Sequence, residues 1–471
     1  MQLLALPHDV KILGTRTGLL FLIVNLPINY GAGLILSLAA DHVEKGGNGG
    51  NHEEYLAAQP TAINATITTR LATLSNSKAY DSLEGTRYGD DGQKESDYAF
   101  DHNLQNKDSD TATFDFIGMA SKIFDDPKKT RLVMILYYVN IFLVLGNYIV
   151  VMSHAVIAML DNGGSDNGML SCIPIAGLLA STLMFSISQL RTMATLGRAA
   201  SVASLLSLSV VVAQCLYFSQ SNVEANNDAD KFEDNISGIR LFLRQLSALG
   251  SIGFAVGSQK LFLNIRHEFA DRQDAPKSLA VSLTAFGSFY VFIIAMAGDN
   301  PPGFLFDTIP RGNVHRQAAG FFLWVHVAVS YAINSQAICA SMDRNFFGRW
   351  GPVRLWTGER RWTALTAIVA STAFFIANAV PFFKDLVAFC GALTSVPLTL
   401  LLPAIFYRRA IENVPVWCHR INLKSWDVSE GWASYFLLVF SSILMVVATL
   451  GSVYSILSDW KHHSGGFFSC Q

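Results

Sequence analysis

Long, nearly unbroken apolar runs alternate with short polar connections along this chain. Ten runs stand out: Thr17–Ala40, Arg131–Leu160, Leu170–Leu190, Ala199–Phe218, Arg240–Ile265, Ser278–Gly298, Gln317–Ser341, Thr363–Phe383, Leu386–Phe406 and Ala433–Leu457. A helix needs about 20 mostly apolar residues to cross ~30 Å of hydrocarbon, and each run meets that length. The runs lack the period-two alternation of a transmembrane barrel strand. In lipid, backbone polar groups must be satisfied inside the segment, so the runs are expected to be helices. A shorter apolar piece, Gln2–Leu13, comes first. It is too short to span and lacks the basic start and small-residue cleavage site of a signal peptide. The pattern predicts an all-α, polytopic membrane protein.

The connections carry the orientation. One alternate set of loops (191–198, 266–277, 342–362 and 407–432) holds 14 Lys and Arg, against 5 in the opposite set. Basic residues in short loops stay cytoplasmic, which assigns the first set to the cytoplasm and the C-terminal tail, with Cys470, to the other side. Residues 41–130 interrupt the pattern with 16 acidic and 9 basic residues and the run Gly46-Gly47-Asn48-Gly49-Gly50. So polar a stretch, poor in large apolar side chains, is expected to be disordered. The sequons Asn64-Ala65-Thr66 and Asn235-Ile236-Ser237 test the orientation, which leaves only the second open to glycosylation. The expected division is therefore residues 1–40, a disordered acidic cytoplasmic insert at 41–130, and a transmembrane body at 131–471.

Composition removes several function classes. Of the 471 residues 51% are hydrophobic and 15% charged, well below the ~25% charge of ordinary soluble domains. A net charge of −2 offers no basic excess for nucleic acid. Six cysteines make no disulfide scaffold; Cys172, Cys215, Cys339 and Cys390 lie in or beside apolar runs. Metal-protease, serine-hydrolase and P-loop motifs are missing from the sequence, which speaks against an enzyme and against ATP-driven transport.

Polar residues inside the runs are the candidate chemistry. Gly250-Ser251-Ile252-Gly253-Phe254-Ala255-Val256-Gly257-Ser258 sets three glycines close together in one span. Gly253-x-x-x-Gly257 reads as a small-residue packing face. It also reads as a helix broken near the bilayer midplane, whose freed backbone groups bind substrate and ion. Lys260 in the same span either faces protein or water or snorkels toward Arg266 and His267. In Gln317–Ser341, His326, Ser330 and Asn334 recur every four residues and share one helix face. That stripe serves either helix–helix hydrogen bonding or the wall of an ion or substrate path. Asn140 and Asn147, seven apart, share a face of the 131–160 run, which also carries Tyr148 and His154.

Four stretches carry a family resemblance: Leu3-Leu4-Ala5-Leu6-Pro7; Ser188-Gln189-Leu190 followed by Leu196–Ser207; Gly250–Glu268; and Phe389–Thr399 followed by Leu402–Tyr407. In their order and spacing they resemble the amino acid/auxin permease family, the transmembrane amino acid transporter domain. The resemblance implies eleven helices in a five-plus-five inverted repeat, similar to bacterial leucine-type symporters. Ten would be complete here and the first partial, with residues 1–40 holding that partial helix and the second one. It implies an amino acid as substrate, a lipid bilayer as surroundings, and H⁺ or Na⁺ as coupling ion, with no cofactor or metal. Carried over, the sixth-span break maps to Gly250, Gly253, Phe254 and Gly257, and an aromatic beside the substrate to Tyr148. The eighth-span polar wall maps to Ser330 and Asn334, with His326 on the same face. Two departures matter. The family's first-span glycine break would precede Met1, as in an incomplete gene model, and Ser258-Gln259-Lys260 replaces the usual Gly-His residues. A cation at Lys260 could substitute for a coupling ion. The expected function is secondary active, ion-coupled amino acid symport in a plasma, vacuolar or lysosomal membrane. The alternative is an amino-acid-sensing receptor or non-transporting paralogue of the same fold.

Overall fold

A computed structural model describes residues 2–47, 116–161, 172–189, 193–221, 238–257, 259–269, 271–298, 300–347, 357–379, 383–412 and 427–462. By its contacts the chain divides into two units, residues 1–39 with 114–471, and residues 40–113. Of the second unit only residues 40–47 are described, as the end of a helix. Both sequons and Cys470 lie outside the described residues.

The elements are α1 (Leu6–Ile12), α2 (Thr15–Gly47), α3 (Phe116–Ile123), α4 (Pro127–Leu160), α5 (Ile173–Ile187), α6 (Met193–Ser221) and α7 (Gly238–Val256). They continue with α8 (Phe262–Glu268), α9 (Asp274–Met296), α10 (Val314–Met342), α11 (Gly358–Ala379), α12 (Phe383–Cys390), α13 (Leu402–Glu412) and α14 (Asp427–His462). Two successive π-helical turns, Gly391–Ser395 and Pro397–Leu401, join α12 to α13. The described residues hold no strand. Each of the ten apolar runs contains a helix. Among the described residues nine stretches are long and apolar enough to cross a membrane, and Ile173–Ile187 is a shorter apolar helix.

Local chemistry sets the ends. Pro7 sits in the first turn of α1, where a missing N–H costs nothing. Asp126 caps α4 by accepting from the Lys128 N–H at 2.9 Å, and Asn313 caps α10 through the His315 N–H at 2.9 Å. Between α1 and α2 the chain passes through Gly14, whose φ of +90° suits a residue without Cβ.

Burial separates inner helices from outer ones. The spans at Lys384–Glu412 and Pro127–Leu160 are 83% and 72% buried, against 28–44% for the others. Outer helices present large apolar side chains outward: Leu20 and Ile23 of α2, Leu206 of α6, Val281 of α9, Ile443 and Leu450 of α14. In water such a belt would be an aggregation surface; in hydrocarbon it is the natural contact. The chain is a multi-pass integral membrane protein.

Hydrogen bonds tie helix ends that the alternation of spans predicts to be neighbours. Gln317 Nε2 donates to Asp161 O at 2.8 Å, and Ser219 Oγ to Ala297 O at 2.7 Å. At the opposite ends Trp362 Nε1 donates to Ser188 O at 3.0 Å, and Gln189 Nε2 to Thr366 Oγ1 at 2.7 Å.

The described residues narrow the expected insert. Helix α2 continues to Gly47, and α3 begins at Phe116. Phe116, Ile117, Met119, Ala120 and Ile123 are buried. The Phe116 ring lies 6.3 Å from Tyr137 of α4 and 6.1 Å from Phe406 of α13. An apolar helical face of eight residues is too short to stand out beside an acidic tract, and packing is what holds it.

Candidate functional site

The site is built around an interruption in the fifth long apolar run, Arg240–Ile265. Helix α7 ends at Val256, and the backbone N–H of Gly257 makes its last helical bond, to Gly253 O at 3.1 Å. The chain resumes as a single 3₁₀ turn, Gln259–Leu261, and then as α8. Carbonyls at the end of α7 thus lose their helical partners inside an apolar span. Tyr290 of α9 supplies one, its hydroxyl donating to Ala255 O at 3.1 Å.

The three glycines divide the work. Gly250 and Gly253 lie inside continuous helix and serve close packing. A Cβ on Gly250 would lie 2.7 Å from Ala388 O, and one on Gly253 3.2 Å from Val396 Cγ2. Gly257 stands at the interruption itself, where a Cβ would meet Ser395 Oγ and Thr399 Cγ2, both at 3.2 Å. Packing and helix breaking, the two readings of this motif, are both present at different glycines.

Lys260 turns back toward the interruption. Its Nζ lies 4.5 Å from the centroid of the buried Phe254 ring, so it does not reach toward Arg266. An ammonium over an aromatic face is worth about 2 kcal/mol when desolvated. Arg266 is itself buried, with Nε donating to Ser37 Oγ of α2 at 3.3 Å.

Opposite the interruption lie the π-helical turns after α12. Turns of this kind are rare and recur at functional sites. Asn140 Nδ2 of α4 donates to Thr394 Oγ1 at 2.8 Å, and Thr394 Oγ1 donates to Cys390 O at 2.8 Å. Cys390 is fully buried, with Lys260 and Tyr148 within electrostatic range of it. Gly257 and Phe254 therefore lie against the Gly391–Ser395 turn, with Lys260 over the Phe254 ring. Several polar atoms here are buried without a hydrogen-bond partner: Ser395 Oγ, Asn140 Oδ1 and Asn147 Oδ1. Such atoms are costly unless something satisfies them.

The stripe on α10 is arranged differently. Ser330 Oγ donates to His326 O at 3.1 Å, and Asn334 Nδ2 to Ser330 O at 2.9 Å, so both fold back on their own helix. His326 Nδ1 lies 2.8 Å from Ser204 Oγ of α6. On the same helix the Tyr331 hydroxyl is buried and without a hydrogen-bond partner. Tyr290, Cys390, Thr394 and Ser395 were not singled out as site residues from sequence. The run of small and hydroxyl residues at Gly391–Thr399 was the signal available for the last three. A separate cavity of ≈ 390 Å³ between α5 and α11 is lined by Leu178, Phe185, Phe374 and Phe375 among others and touches none of these residues.

Comparison with known proteins follows the same line. A family model described as "Transmembrane amino acid transporter protein" matches residues 103–457. Lysine histidine transporter-like 3 of Arabidopsis thaliana is 22% identical over 60% of this chain and 62% of its own length. Lysine histidine transporter-like 4 of the same plant is 22% identical over 45% of this chain and 46% of its own length. Amino acid permease 3, also of Arabidopsis thaliana, is 24% identical over 47% and 49%. The chain spans about half to three-fifths of the length of the curated relatives it matches.

Proposed function

Since the chain belongs to the transmembrane amino acid transporter family, we propose that it carries an amino acid across its membrane by ion-coupled alternating access. The observation that carries the reading is the interruption of an apolar span at Val256–Gln259, beside the buried, unpartnered hydroxyl of Ser395. An amino acid brings a carboxylate and an ammonium in every case, and exposed main-chain groups at a helix break suit both. Its side chain would lie toward Phe254 and Tyr148. The α10 stripe of His326, Ser330 and Asn334 is a wall of the path. The coupling ion, H⁺ or Na⁺, drives accumulation through different affinities for the outward- and inward-facing states.

Lys260 bears on selectivity. Relatives are named for lysine and histidine, but a half-buried ammonium near the break would repel a cationic side chain in a water-poor site. Neutral and acidic amino acids are the proposed substrates, and lysine the poorest.

Reconstitution of the chain in liposomes tests the function, with uptake of each labelled amino acid followed under a pH or Na⁺ gradient. Uptake of one or more is expected, and uptake of none would remove the proposal. Gly253→Leu, which forces a branched side chain against Val396, is expected to insert normally and to lose transport.

A further inference from the structure

Helices α5 and α11 touch toward both ends and part between them. Toward one end Gly177 of α5 packs on α11, where a Cβ would lie 3.6 Å from Phe374 Cε2. At the other, Trp362 Nε1 donates to Ser188 O at 3.0 Å and Gln189 Nε2 to Thr366 Oγ1 at 2.7 Å. The crevice of ≈ 390 Å³ lies between these points and falls in the size range of sites for small apolar ligands. Helix α11 lines it with Ala367, Ala370 and Ser371, where larger side chains would close it.

Its rim belongs to the outward apolar surface. Leu178 and Phe375, which both line it, are 55% and 60% exposed. Leu179 and Leu183 on α5 and Ile368 on α11 are exposed as well. The opening is thus continuous with the belt that meets hydrocarbon, and its occupant comes from the bilayer.

Inside, one polar group stands out. Ser181 lines the crevice and is 6% exposed, and its Oγ is buried without a hydrogen-bond partner. Nearby hydroxyls are satisfied on their own helix: Thr182 Oγ1 donates to Leu178 O at 2.8 Å, and Ser186 Oγ to Thr182 O at 3.1 Å. An unmet hydroxyl is costly in apolar surroundings. A phospholipid acyl chain cannot meet it, because the ester groups stay at the membrane boundary. Ser181 lies about 9 Å inside the Ile187 end of α5. A sterol carries one hydroxyl on a rigid apolar ring system, with no charged headgroup to hold that hydroxyl at the surface. Phe185 and Phe374 offer the rings flat apolar walls.

We propose that the crevice between α5 and α11 is a sterol site, entered from the bilayer, in which the sterol hydroxyl bonds to Ser181. Both helices pack on α4, which carries Asn140 and Tyr148, so a bound sterol braces the helix behind the candidate site. The sterol site is separate from the amino acid path, and its test does not depend on transport.

The test uses the full chain in phosphatidylcholine nanodiscs with a cholesterol analogue that bears a photoreactive diazirine on its rings. Cross-links located by peptide mass spectrometry are expected within residues 178–185 and 367–375. Unlabelled cholesterol should displace them. Cholestane, which has the same rings without the hydroxyl, should need about fivefold more, the worth of one hydrogen bond. Ser181→Ala should bring the two competitors level, and Ser371→Phe, which fills the crevice, should lose the displaceable cross-link. Cross-links spread over the outer helices, or not displaced by cholesterol, overturn the proposal. Equal competition by cholestane in wild type overturns it too, as does a preference for cholesterol that survives Ser181→Ala. A phosphatidylcholine with a photoreactive acyl chain that labels the same residues and resists cholesterol would give the crevice to an acyl chain instead. Should Ser371→Phe fail to fold, the wild-type competition decides.

Discussion

Replacement of Gly391 by alanine probes the crossing on which the interruption depends. The new Cβ would lie 2.1 Å from Gly250 O and 2.8 Å from Phe254 Cβ. A relaxed carbon–oxygen contact is about 3.3 Å, so the two segments would have to part by about 1.2 Å. Helix α7 has little room to retreat. Gly451 of α14 holds it elsewhere, where a Cβ would meet Ser247 N at 2.4 Å and Leu243 O at 2.7 Å. Overpacking a filled interior costs about 1–3 kcal/mol, and a clash with main chain on a clamped helix belongs at the upper end. About 3 kcal/mol is roughly a hundredfold in the folded-to-unfolded ratio. The assay is thermal unfolding of purified protein in detergent, followed by tryptophan fluorescence. By the scaling of soluble domains the midpoint should fall by on the order of 5 °C. Gly31→Ala is the control: nothing lies within 4 Å of its new Cβ, and alanine is the better helix former by about 1 kcal/mol. It should melt at or slightly above wild type. If both variants melt together, the backbone crossing of α7 with the Gly391 turn is not where this geometry puts it.

Three further outcomes follow from the site. Lys260→Gln should narrow the discrimination against lysine relative to neutral amino acids in competition assays; an unchanged substrate ranking would remove the lysine from the selectivity argument. Tyr290→Phe deletes the donor to Ala255 O. Hydrogen bonds between membrane helices average about 0.6 kcal/mol, so the melting temperature should barely move, while uptake falls because the end of α7 loses its anchor; wild-type uptake would show that the carbonyl needs no such partner. Asn140→Leu breaks the 2.8 Å bond to Thr394 and should destabilise by about 1–3 kcal/mol through the stranded polar group. Adding Thr394→Val should recover part of that loss in a double-mutant cycle, and strict additivity would refute the pairing.

The membrane-spanning plan was legible in the chain because it depends on a property of each segment taken alone. About 20 apolar residues must cross ~30 Å of hydrocarbon wherever their neighbours lie, and all ten runs contain helices. The face shared by Asn140 and Asn147 follows from helical period, and both are buried. Glycine density marked the stretch where the fifth long run would yield, since glycine is a poor helix former wherever it sits.

Which glycine packs and which one stands at the interruption was decided by neighbours distant in sequence. Gly250 meets Ala388 O, Gly391 meets Gly250 O, and Gly257 meets Ser395. Tyr290 reads as one more aromatic in an apolar run until α9 brings its hydroxyl to Ala255 O. Asp9 and Asp385 each read as an ordinary acid at the edge of an apolar segment, and only the packing of α1 and α12 against α7 buries them. Partition into hydrocarbon is a sum over single residues and can be read from the order of letters. A close approach or a buried acid is a property of pairs, and pairs this far apart are chosen only when the helices assemble.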